Sequence, residues 1–97
     1  MRHRILAEAD EEFAEAVRHY SEIDPELSIR FYREMERLIR DVCMSPGRFF
    51  MFDPPVRRHL SAVFPYAVVY LEKPDGVWIV AVMYMGRKPG YWRGRLE

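Results

Sequence analysis

The fold is decided by the stretch Tyr66-Ala67-Val68-Val69-Tyr70-Leu71-Glu72-Lys73-Pro74-Asp75-Gly76-Val77-Trp78-Ile79-Val80-Ala81-Val82-Met83-Tyr84. Its two ends are rich in β-branched and aromatic residues, and Pro74-Asp75-Gly76 between them has the composition of a tight turn. The stretch therefore predicts two strands, residues 66–72 and 77–84, joined as a hairpin. Because apolar residues occupy both odd and even positions of these strands, both faces of the sheet must be covered.

Upstream of the hairpin, the pattern predicts two helices between two further strands. A short strand is expected at residues 2–6 and another at residues 56–63. Apolar residues at helical spacing predict a first amphipathic helix over residues 9–22. Asp24-Pro25-Glu26 is typical of an N-cap followed by proline at the first helical position, and Ser45-Pro46-Gly47 ends this second helix. The helices should form an antiparallel hairpin, because only a residue or two separates them.

One helical hairpin can cover only one face of a sheet. We therefore expect the second face to be closed by the C-terminal tail, by a segment of a partner or by a twin subunit. The length of 97 residues predicts one domain, residues 1–97, with a single core.

The formal net charge of zero conceals an acidic first half and a basic second half. Residues 1–45 carry seven Arg against eleven Asp or Glu, whereas residues 46–97 carry eight Arg or Lys against four Asp or Glu. A general nucleic-acid coat would be more strongly basic, so any contact with phosphate should be local.

The sequence indicates a cytoplasmic protein without a membrane partner. No stretch approaches the roughly 20 apolar residues that span a bilayer, and the N-terminus has no secretory pattern. The lone Cys43 cannot form an internal disulfide. With one cysteine and no paired histidines, neither a metal site nor a cofactor is expected.

The tail, residues 85–97, places Tyr91 and Trp92 among cationic side chains directly after the last strand. Arginine and aromatic side chains together can grip phosphates, bases or an acidic protein groove. Trp92 is expected to pack back on the sheet, while the role of Tyr91 stays open. Arg57 and Arg58 alternate across a strand, so they should point to opposite faces, and one of them should pair with an acidic helix.

In their order and spacing, the motifs of this chain resemble the RelE/ParE superfamily of toxins from bacterial type II toxin-antitoxin systems, of the plasmid-stabilisation type. The motifs that carry the resemblance are Arg30-Phe31-Tyr32-Arg33-Glu34, Pro46-Gly47-Arg48-Phe49, Arg57-Arg58-His59-Leu60, Phe64-Pro65-Tyr66-Ala67-Val68-Val69-Tyr70, Val80-Ala81-Val82-Met83-Tyr84 and Arg87-Lys88-Pro89-Gly90-Tyr91-Trp92. The resemblance implies an α+β fold, in which a two-helix hairpin packs on a mainly antiparallel sheet. It also implies a cognate antitoxin that wraps the toxin and through which oligomers can form.

The resemblance implies one of two unlike activities, both of which inhibit growth. ParE-like members bind DNA gyrase and stall it without being hydrolases, and a surface of that kind would here consist of Arg58, Tyr84, Arg87, Lys88, Tyr91 and Arg93. RelE-like members cut messenger RNA on the ribosome. That chemistry needs cations beside the phosphate and a general acid, which here would be Arg57, Arg58, Arg87 and Tyr91.

Tyr84 favours the ParE-like activity. Many relatives have a histidine near the end of the final strand, whereas tyrosine, with an ordinary pKa of roughly 10, is a poor base at neutral pH. The near-neutral overall charge also suits a protein target better than the ribosome. The nuclease alternative stays open, because nucleases based on Lys and Arg lack this histidine as well. A third alternative is an inactive family member that only binds its antitoxin.

Overall fold

The computed structural model describes residues 2–96, and its elements follow the predicted order with one added strand. The elements are β1 (His3–Ile5), α1 (Ala7–Ile23), α2 (Pro25–Met44), β2 (Phe50–Asp53), β3 (Val56–Leu60), β4 (Tyr66–Lys73) and β5 (Gly76–Tyr84), with 3-10 turns at Pro46–Arg48 and Arg93–Leu96. The predicted α+β class is confirmed. Predicted ends of elements differ from the observed ones by at most three residues.

The strands form one mixed sheet in the order β1-β5-β4-β3-β2. The predicted β4–β5 hairpin is confirmed, and β4 lies at the centre of the sheet between β5 and β3. All neighbouring strands are antiparallel except β1, which runs parallel to β5 from His3 opposite Val77 to Ile5 opposite Ile79. Because β1 is only three residues long, it pairs with the first part of β5 and leaves the end of β5 without a strand on that side, while β4 continues to pair along the other side.

β2 is not predicted by the sequence pattern, and β3 is shorter than predicted. The pattern predicts no strand between the end of the second helix and residue 56, but residues 50–53 pair with β3 as a short edge strand. β3 ends at Leu60 instead of Val63, since the Ser61 hydroxyl oxygen accepts hydrogen bonds from the backbone N–H groups of Val63 and Phe64, at 3.1 and 3.0 Å. This local turn competes with continued strand pairing.

The helical hairpin forms as predicted around a single connecting residue, Asp24. Its side chain accepts a hydrogen bond from the backbone N–H of Glu26 at 3.1 Å, and Pro25 occupies the first turn of α2. This N-cap fixes the start of α2 and thereby the reversal of the chain. The hairpin buries Phe13, Phe31 and other apolar side chains against one face of the sheet.

The C-terminal tail covers the second face of the sheet. Of the three covers expected from the sequence, it is therefore the tail that occupies this position. Trp92 is 1% exposed and packs edge to face on Phe52, with ring centroids 5.7 Å apart. The cluster beneath it contains Leu6, Val56, Ala67, Val69, Leu71, Val80, Ala81 and Met83.

A β-bulge in β5 shifts the alternation of its side chains between the two layers by one residue. Val69 pairs with Ala81, but the next residue, Tyr70, pairs with Ile79, so Val80 is an extra residue. As a result Val80 and Ala81 both belong to the tail-side cluster, and Val82 joins the helix-side cluster.

Replacing Trp92 should expose the second layer. We expect Trp92→Ala to lower the free energy of unfolding by about 3–5 kcal/mol, because a large, fully buried ring is removed. Urea denaturation followed by circular dichroism measures the change. Val63→Ala, at a side chain that is 71% exposed, is the control and should change stability by less than about 0.5 kcal/mol. A Trp92→Ala variant as stable as this control would show that the tail is not part of the core.

Candidate functional site

The carboxylate of Glu12, on α1, holds the C-terminal tail. One oxygen, Oε1, accepts hydrogen bonds from the backbone N–H of Val82 at 3.2 Å and from Nη1 of Arg95 at 2.8 Å. The other, Oε2, accepts from the hydroxyl of Tyr91 at 2.5 Å and from Nη2 of Arg95 at 3.1 Å. The side chains of Glu12 and Arg95 are each only 16% exposed. One ion pair thus joins α1, β5 and the tail.

This cluster also satisfies the open edge of β5. Beyond Ile79 the strand has no β1 neighbour, and its backbone groups there need other partners. Glu12 accepts from the N–H of Val82, and Arg95 Nη1 donates to the carbonyl of Val80 at 3.1 Å. The two side chains therefore replace the missing strand at the position of the bulge.

Two guanidinium groups lie close to the ring of Tyr91. The Cζ atom of Arg87 is 3.9 Å from the ring centroid of Tyr91, and that of Arg95 is 5.0 Å away. Burial, followed by the hydrogen bond to Glu12, raises the pKa of the Tyr91 hydroxyl well above its ordinary value. The hydrogen bond to Glu12 likewise raises the pKa of Arg95. Tyr91 is therefore held as a neutral hydrogen-bond donor to Glu12.

The predicted residues Tyr84, Arg87, Lys88 and Tyr91 come together where β5 passes into the tail. Tyr84 is 48% exposed, and its ring centroid lies 5.6 Å from that of Tyr66. The Arg87 side chain is 51% exposed, and its Nη1 atom is 4.0 Å from Oε2 of Glu12. Lys88 is exposed, and its carbonyl accepts from the N–H of Tyr91 at 3.2 Å. This group presents aromatic and cationic side chains to solvent.

Arg58 and Arg93, also predicted for target binding, lie beside β2 on the tail side of the sheet. Arg93 donates from Nε and Nη2 to Oδ2 of Asp53, at 3.0 and 2.8 Å. The Cζ atom of Arg58 is 4.7 Å from the ring centroid of Phe52. These two arginines form a second cationic group and are engaged with β2.

Arg57 points to the helix side of the sheet, opposite Arg58, as the strand alternation predicts. Its Nη1 donates to the carbonyl of Phe49 at 2.9 Å, and its Nε is 3.6 Å from Oε1 of Glu72. The acidic partner of Arg57 is thus a residue of β4, whereas the sequence analysis expected one on a helix. His59 also lies on this side, where its Nε2 is 2.9 Å from Oδ2 of Asp41 and its ring stacks on Phe49. Arg57, on β3, is separated by β4 from β5, the strand after which Arg87 and Tyr91 follow.

Sequence reasoning did not single out Glu12 or Arg95. Glu12 is one of several acidic residues in the first half of α1, and Arg95 is one of several cations in the tail. The two are 83 positions apart, so no local spacing relates them. The sequence offers only a general signal for them. A buried strand that extends beyond its neighbouring strand needs polar partners for the backbone groups of its open edge.

Comparison with known proteins gives the class of the fold. No protein-family model matches this chain, and no curated protein matches it. A solved chain of the chromosomal ParDE TA system from P. aeruginosa is similar in structure, with a TM-score of 0.76 and 15% sequence identity. The match covers 87% of this chain and 95% of that chain. At this identity the likeness shows the fold, and the RelE/ParE-like fold implied by the sequence motifs is confirmed.

Over residues 2–96, no helix combines the length and apolar character that crossing a membrane requires.

Removing the Glu12 carboxylate should loosen the tail. We expect Glu12→Ala to lower the free energy of unfolding by about 2–4 kcal/mol, because Arg95 and the N–H of Val82 lose their acceptor in a largely buried position. Glu12→Gln should lower the free energy of unfolding by less, since its amide oxygen still accepts a hydrogen bond. Urea denaturation provides the comparison, with Glu22→Ala, at an exposed position of the same helix, as control. Equal stabilities of Glu12→Ala and Glu22→Ala would contradict this role.

The raised pKa of Tyr91 predicts a loss of stability at alkaline pH. A folded-state pKa above the unfolded value gives a stabilisation that is complete below about pH 10 and declines as the pH rises towards the folded-state pKa. Tyr91→Phe should therefore show a shallower decline in the free energy of unfolding above about pH 10 than the parent chain. Unchanged slopes would contradict the hydrogen-bonded, protonated state of Tyr91.

Proposed function

We propose that this chain is the toxin of a type II toxin-antitoxin system, of the ParE-like kind, that binds and inhibits DNA gyrase. The observation that carries the proposal is that Tyr84, Arg87 and Lys88 form an exposed surface, whereas Tyr91, the candidate general acid, is tied to Glu12 inside the fold. Such an arrangement suits binding better than turnover.

The state of Tyr91 argues against its use as an acid. Its proton is already donated to a carboxylate, and a raised pKa makes the hydroxyl a weaker acid than an ordinary tyrosine. Arg57 and His59, which could assist phosphate chemistry, lie on the helix side of the sheet with partners of their own. This separation supports a target that is bound and not cleaved.

The side chain of Arg87 is partly ordered before any partner binds. Stacking on Tyr91 and the proximity of Glu12 restrict its conformations, while half of its side chain remains exposed. Because less entropy is lost on binding, a held guanidinium group binds a carboxylate of a partner better than a freely moving one. We infer that the partner carboxylate belongs to gyrase, because of the family resemblance of the motifs and the likeness of the fold to the ParDE chain.

The structural likeness also suggests a protein partner and a cellular location for this chain. The similar solved chain comes from a system described as ParDE TA, so we infer that a cognate antitoxin neutralises this chain in the cytoplasm. The adjacent reading frame is where that antitoxin should be sought. Oligomers would then form through the antitoxin.

Loss of the Arg87 side chain should weaken gyrase inhibition. In a supercoiling assay with the purified chain, we expect Arg87→Ala to raise the half-inhibitory concentration about tenfold or more, as for an interface anchor. Arg18→Ala is the matched control, because Arg18 is similarly exposed and pairs with Glu15 on α1. Thermal denaturation checks that both variants remain folded.

Each result of this assay has a distinct meaning. Inhibition that is lost in Arg87→Ala, kept in Arg18→Ala and relieved by the antitoxin supports the proposal. Inhibition that persists in Arg87→Ala excludes this surface as the target site. Absence of inhibition together with cleavage of transcripts within translated codons would establish the RelE-like nuclease. Absence of both, with harmless expression, would leave a module that only binds its antitoxin.

A further inference from the structure

A cleft of about 750 Å³ opens between α1 and the end of β5. It exists because β1 stops at Ile5 while β5 continues to Tyr84, so that α1 faces the last residues of β5 across an unfilled gap. Val82 and Ala16 form part of its floor, and the start of the tail borders its mouth through Arg87.

The cleft is negatively charged. Four glutamates on one side of α1 line it: Glu8, Glu11, Glu12 and Glu15. Two cations, Arg87 and Arg95, line it as well, and both lie beside Glu12. With His19 counted as neutral, four carboxylates against two guanidinium groups leave a formal charge of −2. Glu8, Glu11 and Glu15 are exposed, but Glu15 pairs with Arg18 at 2.5 Å, so it is chiefly Glu8 and Glu11 whose charge faces the solvent in the cleft.

The cleft also has a tyrosine wall, formed by Tyr20 on α1, Tyr66 on β4 and Tyr84 on β5. Tyr66 stands between two other tyrosines, with ring centroids 6.2 Å from Tyr20 and 5.6 Å from Tyr84. Burial is the main cause that raises the pKa of Tyr20 and Tyr66, so both hydroxyls stay uncharged at neutral pH. Neutral aromatic rings attract cations, and they also pack on aliphatic chains.

We propose that this cleft receives an arginine or lysine side chain presented by a protein partner. The tyrosine wall would contact the aliphatic stem and the cation, and the carboxylates of Glu8 and Glu11 would pair with the charge. An anion is disfavoured by the charge of the cleft. A bare metal ion is also disfavoured, because no group of three His, Cys, Asp or Glu side chains within residues 2–96 is placed to hold one.

Under the proposed function, the partner that supplies this side chain is the antitoxin. This identification rests on that function, whereas the preference of the cleft for an organic cation does not. Tyr84 and Arg87 belong both to the cleft and to the surface assigned to gyrase. A side chain seated in the cleft would therefore cover part of the target surface, which gives the antitoxin a direct way to block it.

The preference of the cleft can be measured on the full chain by NMR. The probe is N-acetyl-arginine amide, and the matched control is N-acetyl-citrulline amide, which has nearly the same shape without the charge. We expect saturable shifts of the Tyr66, Val82 and Tyr84 signals with the arginine probe, and binding at least about threefold weaker with citrulline. Added salt should weaken the arginine complex, because exposed carboxylates are screened. Equal binding of the two probes, or shifts that do not saturate, would overturn the proposal.

Two variants test which carboxylates bind the arginine probe. Glu11→Gln should raise the dissociation constant of the arginine probe roughly two- to fivefold, the range for an exposed ion pair. Glu22→Gln, on the same helix but outside the cleft, should leave it unchanged. Equal weakening by both variants would mean that the probe senses only overall charge, and the cleft assignment would be wrong. Because the titration contains no gyrase, a chain that binds the probe but does not inhibit supercoiling would retain the cleft and lose the proposed function.

Discussion

The structure depends on the ion pair between Glu12 and Arg95. It joins the first helix to the last turn and supplies hydrogen-bond partners to the backbone of β5 beyond the end of β1. Without Arg95, the carbonyl of Val80 at the open edge of β5 would lose its partner, and the largely buried carboxylate of Glu12 would lose its nearest cation. The position of Tyr91 and the partial ordering of Arg87 follow from this one contact. The candidate binding surface is thus built on an interaction that is itself structural.

Most of the fold could be predicted from the sequence, because its helices, strands and turns depend on local sequence patterns. The Asp24-Pro25 cap, the Pro74-Asp75-Gly76 turn and the apolar strands each act over a few residues. β2 was missed since a short edge strand has little pattern of its own and depends on pairing with β3. The need to cover both sheet faces was evident, but only tertiary structure could decide among the possible covers.

The candidate site was less predictable than the fold, for a physical reason. Tyr84, Arg87 and Lys88 follow one another in the chain, so their proximity was foreseeable. Whether a given arginine is engaged or available depends on distant partners: Arg93 meets Asp53, and Arg95 meets Glu12. Residue type indicates that a charge will be paired, but the sequence does not say with what. The pairing of these arginines, and not their number, decides which of them can serve a partner.

The late position of the tail in the chain has a consequence for proteolysis. All five strands precede the segment that carries Trp92, so a cut between Tyr84 and Trp92 would leave the strands intact and bare the second apolar face of the sheet. A chain clipped in this way would offer Val69, Leu71 and Met83 to any apolar surface nearby. One cut in the exposed segment at residues 84–89 would therefore favour aggregation, because the cover provided by Trp92 and the contact of Arg95 with Glu12 would be lost together.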